Sequence, residues 1–230
     1  MSASIVLVDD NTALRDAYRR AIELHGDLVI VGEASDGASG VRLIQSHRPT
    51  VALVDMRMPE LDGLGVLRAV DTQATKVIIF TAFNEERYVE PALRLGASGF
   101  LLKNCSPREV LAGIDAVLDG NACLAPEVAR RLLDTMQSRS ETDAGQLSLS
   151  QVALSERERE VIALVARGMS NREIAAELVV EPETVRTYLK RIFAKTGMTN
   201  RTMLAVAAIE AGLAGEWTCA ALIDRSRFFV

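Results

Sequence analysis

Along the first 120 residues, short apolar runs alternate with stretches in which apolar residues recur every three or four positions. The runs are rich in β-branched residues: Ser4-Ile-Val-Leu-Val8, Val51-Ala-Leu-Val54, Lys76-Val-Ile-Ile-Phe80 and Gly99-Phe-Leu-Leu102. Runs without polar alternation predict strands covered on both faces, at about 4–9, 28–34, 51–55, 76–81 and 98–102. The periodicity between them predicts helices at about 12–25, 37–47, 62–71, 85–95 and 107–119, with Gly26, Gly37, Gly63, Gly96 and Gly120 at helix ends and turns. Five such βα repeats specify an α/β fold, a doubly wound five-stranded parallel sheet with helices on both faces. Pro91 falls inside the fourth helical pattern and predicts that this helix starts or kinks there.

The pattern then changes. Pro126 opens an amphipathic segment, Glu127 to Met136, and Gln137 to Gln146 is polar without apolar periodicity, the composition of a flexible linker. From Leu154 onward the periodicity is helical throughout. Ser155 and Glu158 have capping-box spacing ahead of Val161, Ile162, Leu164 and Val165. Gly168 ends that helix, and Ser170 or Asn171 caps the next, which carries Ile174, Ala175 and Leu178. After the turn Val179-Val-Glu, Pro182 opens a third helix that turns Val185, Leu189, Ile192 and Phe193 inward. Gly197 stops it, and Thr199 or Asn200 caps a fourth helix running to about Gly212. The expected organisation is an α/β domain over 1–122, a linker with a short amphipathic helix over 123–150, an all-α four-helix domain over 151–214 and a tail over 215–230. The tail, with Trp217 and Phe228-Phe-Val230, is apolar but matches no element.

Composition narrows the class. The 230 residues are 49% apolar and 25% charged, ordinary for a globular protein. No uncharged apolar stretch approaches the ~18 residues of a membrane span, and the first residues carry no signal-peptide pattern, so a cytoplasmic location without membrane contact is expected. Cys105, Cys123 and Cys219 are far apart and not in metal-ligand spacing, which predicts inert thiols in a reducing compartment. Net charge is −5, but it is unevenly spread: residues 1–125 hold 12 Lys/Arg against 17 Asp/Glu, and residues 151–214 hold 9 against 8. Within 185–201 stand Arg186, Lys190, Arg191, Lys195 and Arg201 and no acid. A cationic stripe on an acidic chain points to a polyanion partner for that segment.

The candidate chemistry sits at the strand ends. Asp9 and Asp10, Asp55, Thr81 and Lys103 each lie at or just beyond the end of an apolar run. Sites in wound parallel sheets form at the carboxyl ends of the strands, so these five residues are expected to converge. Three carboxylates held together call for a cation, and Mg2+ takes hard oxygen ligands. Asp10 and Asp55 are the expected direct ligands, with the backbone carbonyl of Arg57 as a third and Asp9 acting through water. Asp55 ends a central strand and is the expected nucleophile toward a phosphoryl group. Lys103 would neutralise the phosphoryl oxygens, and the Thr81 hydroxyl would hydrogen-bond one of them.

These pieces resemble a known family. Val8-Asp-Asp10, Asp36-Gly37, Val54-Asp-Met-Arg-Met-Pro59 with Asp62-Gly63, Thr81-Ala82 and Gly96-Ala-Ser-Gly-Phe-Leu-Leu-Lys103 are similar to the flavodoxin-like receiver domain of bacterial two-component response regulators. The resemblance implies that Asp55 accepts phosphate from a sensor histidine kinase. It also implies that Phe100 is the switch aromatic, turning inward as Thr81 moves toward the phosphate. Phe83, two residues past Thr81, is expected to shield the phosphoryl group.

The second half resembles the LuxR/NarL/FixJ type of helix-turn-helix domain through Leu154-Ser-Glu-Arg-Glu-Arg-Glu-Val161, Gly168-Met-Ser-Asn-Arg-Glu-Ile-Ala175 and Thr184-Val-Arg-Thr-Tyr-Leu-Lys190. With Val185, Leu189 and Ile192 inward, Arg186, Thr187 and Lys190 are left together on the outer face of a helix that suits the major groove. Asn171, Thr184, Arg191 and Lys195 are the candidates for phosphate contacts. Glu181 departs from the Ser that this family usually carries at the helix cap, and places a negative charge near the DNA backbone.

The expectation is therefore a DNA-binding response regulator whose phosphorylation at Asp55 controls dimerisation and transcription. Its partners would be a sensor histidine kinase, (pseudo)palindromic promoter DNA, a second copy of the chain when phosphorylated and, as a further candidate, RNA polymerase. Two other classes compete. One is a DNA-binding regulator indifferent to phosphorylation. The other is a Mg-dependent aspartyl phosphatase, against which Arg57 stands where haloacid-dehalogenase-type enzymes carry a second Asp. A flavodoxin-like FMN binder would need a Ser/Thr/Gly-rich loop where this chain has Asp9-Asp-Asn-Thr12.

Overall fold

The structure, a computed structural model, describes residues 2–81, 86–121, 123–124, 149 and 152–213. The chain divides into two compact units between Leu118 and Asp119.

The first unit is built on a sheet of strands β1 (Ala3–Val8), β2 (Leu28–Ala34), β3 (Val51–Asp55), β4 (Lys76–Thr81) and β5 (Gly99–Leu102). The order of these five is β2-β1-β3-β4-β5, and each pairing is parallel. The sixth strand, β6 (Cys123–Leu124), corrects the expected count of five. Two residues make too short an apolar run to register as a strand in the sequence. The central strands are the chain's most apolar stretches because both their faces are covered: Ile5 to Val8 and Val51 to Asp55 are all buried. On β2, at the edge of the sheet, burial is partial and Val29 is exposed.

Five helices connect the strands: α1 (Thr12–Leu24), α2 (Gly37–His47), α3 (Gly63–Ala69), α4 (Val89–Arg94) and α5 (Pro107–Leu118). Four of them, α1, α2, α3 and α5, start on a side-chain cap at the carboxyl edge of the sheet, α5 on Ser106, which accepts from the Glu109 N–H at 3.3 Å. Asn11 accepts from the N–H groups of Ala13 and Leu14, Asp36 from Ser39 and Asp62 from Gly65. Both Asp-Gly pairs have the same cause. The aspartate caps, and the glycine lets another backbone segment approach. A Cβ on Gly37 would lie 2.0 Å from the Leu61 carbonyl oxygen, and one on Gly63 would lie 2.9 Å from that of Asp55. The fourth helix is shorter than the periodicity predicts. A 3-10 turn over Glu86–Tyr88 leads into α4, and Pro91 is the third residue of α4, where its missing N–H has no partner within the helix to lose. Phe83 lies outside the described residues, as do 125–148, 150–151 and the tail.

The second unit packs α6 (Glu156–Ala166), α7 (Asn171–Leu178), α8 (Pro182–Thr196) and α9 (Arg201–Glu210) around Val161, Ile162, Ile174, Val185, Ile192 and Leu204. Two capping boxes start α6 and α7, Ser155 with Glu158 and Ser170 with Glu173, and Asn200 caps α9 through the N–H of Met203. α8 begins on Glu181, which makes no side-chain cap bond, and on Pro182. Its burial follows the helical period: Val185, Leu189 and Ile192 face the core, while Arg186, Thr187, Lys190 and Arg191 are exposed.

The turn between α7 and α8 is strained. Val179 closes α7 at φ 54° and ψ 51°, a left-handed conformation costly for a β-branched residue, and its side chain is exposed. Glycine adopts that conformation without steric cost. Val179→Gly is expected to stabilise the helical unit by about 1 kcal/mol in chemical denaturation. An unchanged or lower midpoint would refute the strain.

Candidate functional site

At the carboxyl edge of the sheet, the strand order reverses between β1 and β3, the position where wound α/β folds place their ligands. Asp9 and Asp10 follow β1 there, and Asp55 ends β3. One carboxylate oxygen from each of the three lies within 4.8 Å of the other two. Lys103, one residue past β5, completes the cluster: its Nζ is 2.6 Å from Asp55 Oδ2 and 3.7 Å from Asp9 Oδ2. Thr81, buried at the end of β4, is one position beyond the Asp55–Phe80 register pair, and its carbonyl accepts the N–H of Lys103 at 3.0 Å. Four strand ends thus supply the five polar residues expected from the sequence.

The cluster is electrostatically loaded. Asp55 is fully buried and Asp9 nearly so, while Asp10 is exposed. Burial pushes the Asp55 carboxyl up to about 6, against the lowering effect of its bonds from Lys103 and from the Arg57 N–H at 3.1 Å. Burial draws the Lys103 ammonium down, but the Asp55 hydrogen bond and the charges of Asp55, Asp9 and Asp10 outweigh it and raise its pKa. Lys103 therefore stays charged beside a carboxyl that ionises reluctantly.

One buried oxygen, Asp9 Oδ2, has no hydrogen-bond donor. Lys103 approaches it only at 3.7 Å. An unsatisfied buried carboxylate oxygen facing two other carboxylates is what a hard divalent cation would complete, and an all-oxygen donor set fits Mg2+ better than a soft metal.

The loop that carries the aspartates is fixed by residues that the sequence reading passed over. Asp9 Oδ1 accepts the N–H of Asn11 at 2.8 Å, and its carbonyl accepts from an Arg15 terminal nitrogen at 2.5 Å. Arg15 also approaches Glu33 of β2 at 3.7 Å. Arg15 is an ordinary helix-surface residue in the pattern, and its target is a backbone oxygen that no motif marks. Behind the site, Tyr18 stacks on Phe80 with ring centroids 4.8 Å apart. Tyr18 also reaches the Lys103 carbonyl at 3.5 Å. Burial, and then the charge of Glu109, raises the Cys105 thiol to about 11, so it stays protonated at neutral pH. Phe100, on β5, is fully buried.

On the helical unit the candidates separate into two groups. Arg186, Thr187, Lys190 and Arg191 are exposed on α8, with Thr184 half-buried at its start. Arg186 is paired with Glu183 at 2.9 Å, and the Thr187 hydroxyl donates to the Glu183 carbonyl at 3.0 Å. Two further residues expected at phosphates, Asn171 and Lys195, have partners within the unit. Asn171 is buried, and its Oδ1 accepts from Arg201 at 2.9 Å. Arg201 also donates to the Met169 carbonyl, and burial brings its guanidinium down to about 10. Lys195 reaches back to the buried Glu158 of α6 at 2.7 Å and holds that carboxyl below its ordinary range. Asn171 is thus an acceptor that ties α7 to α9, and Lys195, itself exposed, ties α8 to α6.

Residues 5–115 match the family model of the response regulator receiver domain, and residues 152–208 match that of the bacterial regulatory proteins of the luxR family. The chain is 38% identical over 199 residues to the probable transcriptional regulatory protein NarL of Mycobacterium tuberculosis (strain H37Rv), across 86% of this chain and 89% of the relative. It is 31% identical over 209 residues to the nitrate/nitrite response regulator protein NarL of Escherichia coli (strain K12), across 89% and 94%. Among solved structures, a LuxR-family two-component response regulator from Aurantimonas sp. SI85-9A1 matches with a TM-score of 0.55 at 30% identity, over 60% of this chain and 99% of that one. A structure of two RcsB dimers bound to two parallel DNAs is alike in fold, with a TM-score of 0.53 at 21% identity over 92% and 99%. The chain belongs to the LuxR/NarL family of DNA-binding response regulators, which are transcription regulators. No helix among the described residues is long and apolar enough to cross a membrane.

The Lys195–Glu158 pair yields a stability test. Removing the ammonium leaves a buried carboxylate short of a partner. Because Lys195 is partly exposed, Lys195→Met is expected to cost the helical unit about 1–2 kcal/mol in denaturant melts. A double variant that also carries Glu158→Gln should recover part of the loss. A Lys195→Met chain with unaltered stability would refute the structural role.

Proposed function

We propose that Asp55 is the phosphoacceptor of a two-component system and that its phosphorylation governs how the helix-turn-helix unit engages promoter DNA. The observation that carries this reading is the convergence of Asp9, Asp10, Asp55 and Lys103 from three strand ends at one edge of the sheet. A phosphohistidine of a sensor kinase is the donor. An Asp55 carboxylate oxygen attacks phosphorus, the P–N bond breaks, and the imidazole leaves with its electron pair and takes up a proton. Lys103 holds the charge on the transferred oxygens, and the Thr81 hydroxyl donates to one of them. Asp9, Asp10, Asp55 and the Arg57 carbonyl would hold Mg2+, which supplies charge neutralisation when bound.

Movement of Thr81 toward the phosphoryl group is coupled to the position of Phe100, and the equilibrium shifts toward a dimer-competent form. Arg186, Thr187 and Lys190 read the major groove, while Thr184 and Arg191 position the helix on phosphates. A dimer of such units reads a (pseudo)palindromic promoter site, and the cytoplasm is where the chain meets both kinase and DNA.

Electrophoretic mobility shift at fixed salt, with and without acetyl phosphate, tests the coupling. Treatment is expected to tighten binding at least several-fold and to convert monomer to dimer on a sizing column, and Asp55→Ala should abolish both effects. Equal affinity and an unchanged sizing profile in the two states would leave a regulator indifferent to phosphorylation. The metal site makes a second prediction. Protons and Mg2+ compete for Asp55, whose carboxyl lies at about 6, so apparent Mg2+ affinity should be highest above that pH and fall as pH drops through it. Calorimetric titration at pH 7.5 and at pH 5 should differ by about tenfold. A flat profile would remove Asp55 from the ligand set.

A further inference from the structure

The groove-facing surface of α8 extends one turn beyond the residues assigned to it, to an acid. Glu183, the second residue of α8, shares a helical face with Arg186, Thr187 and Lys190 at the i, i+3, i+4 and i+7 positions. Val185, Leu189 and Ile192 occupy the opposite, buried side. The Glu183 and Arg186 side chains are 71% and 59% exposed, yet they meet at 2.9 Å. An exposed pair of this kind contributes little stability, and a carboxylate on a helix that approaches phosphates opposes binding. Recognition helices touch base edges with their N-terminal residues, and Glu183 stands at that end.

We propose that Glu183 is a specificity-determining residue that accepts a hydrogen bond from the N4 amino group of a cytosine. The inference rests on the reading of α8 as the groove-facing helix and deepens it. Cytosine presents only a donor at its major-groove edge, whereas adenine sets its N6 donor beside the N7 acceptor, which repels a carboxylate. Guanine and thymine present acceptors alone and leave the carboxylate desolvated without a partner, so wrong bases are rejected as well as cytosine chosen. In the free protein the same carboxylate holds the Arg186 guanidinium over the face, ready to reach O6 and N7 of a neighbouring guanine. The pair therefore reads two adjacent positions with opposite charges.

Selection from randomised duplexes with the full chain, treated with acetyl phosphate, tests this. The wild-type chain should enrich a cytosine beside an Arg186-dependent guanine in each half-site. Glu183→Ala should flatten the cytosine preference, a loss of roughly tenfold discrimination, while the guanine persists and binding to random duplex tightens. Glu183→Gln should move the preference toward adenine, because an amide pairs with N6 and N7 together. If Glu183 serves only the helix N-terminus, Glu183→Ala lowers the melting temperature and leaves the selected sequence intact, which overturns the inference alone. A wild-type chain that enriches no sequence overturns it together with the groove assignment. Arg186→Ala that retains the guanine overturns the assignment of Arg186, and a cytosine preference still dependent on Glu183 in that background upholds the inference.

Discussion

The strongest constraint on this molecule is the cost of holding three carboxylates in one place. Asp9, Asp10 and Asp55 sit within reach of a single ion, and among the described residues Lys103 brings a positive charge to them, 2.6 Å from Asp55. Like charges at this spacing, two of them buried, repel strongly where water screens poorly. The fold bears that cost at the carboxyl edge of its sheet, through caps at Asn11, Asp36 and Asp62 and through glycines that bring backbone close to backbone. A site with one orphaned carboxylate oxygen and a reluctant acid at Asp55 is poised to gain from added positive charge. The same property makes it responsive, because any group that changes the local charge changes the balance that the surrounding strands hold.

The helical unit handles charge differently. Its cations divide by destination. Arg201 and Lys195 turn toward the buried acceptors Asn171 and Glu158 and tie helices together, and Arg186, Lys190 and Arg191 are exposed on α8. Both acceptors are buried, so these contacts are charge-assisted hydrogen bonds of fixed geometry. On the outer face, Glu183 restrains Arg186 without burying it. The outer face of α8 therefore carries both signs.

Much of this was legible in the residues. Strands covered on both faces announce themselves as unbroken apolar runs, and the residues that end them must share an edge, so Asp9, Asp10, Asp55, Thr81 and Lys103 were visible as a group before any coordinates. Capping chemistry was equally plain at Ser155 and Glu158. Other features left no local trace. Arg15 acts on a backbone carbonyl, which no spacing rule marks. β6 has too few residues to show a period. Val179 adopts a left-handed conformation that the sequence would signal with Gly or Asn. The bonds of Asn171 with Arg201 and of Lys195 with Glu158 depend on tertiary neighbours that no local pattern marks.

Uptake of a phosphoryl group at Asp55 is the event on which the proposed control of DNA binding depends. Intact-mass spectrometry of the chain after incubation with acetyl phosphate, followed by peptide mapping after borohydride reduction, measures this directly. A single phosphoryl addition that requires Mg2+, maps to Asp55 and disappears in Asp55→Asn is the predicted result. No addition with Mg2+ present, or one that survives Asp55→Asn at the wild-type level, would contradict it.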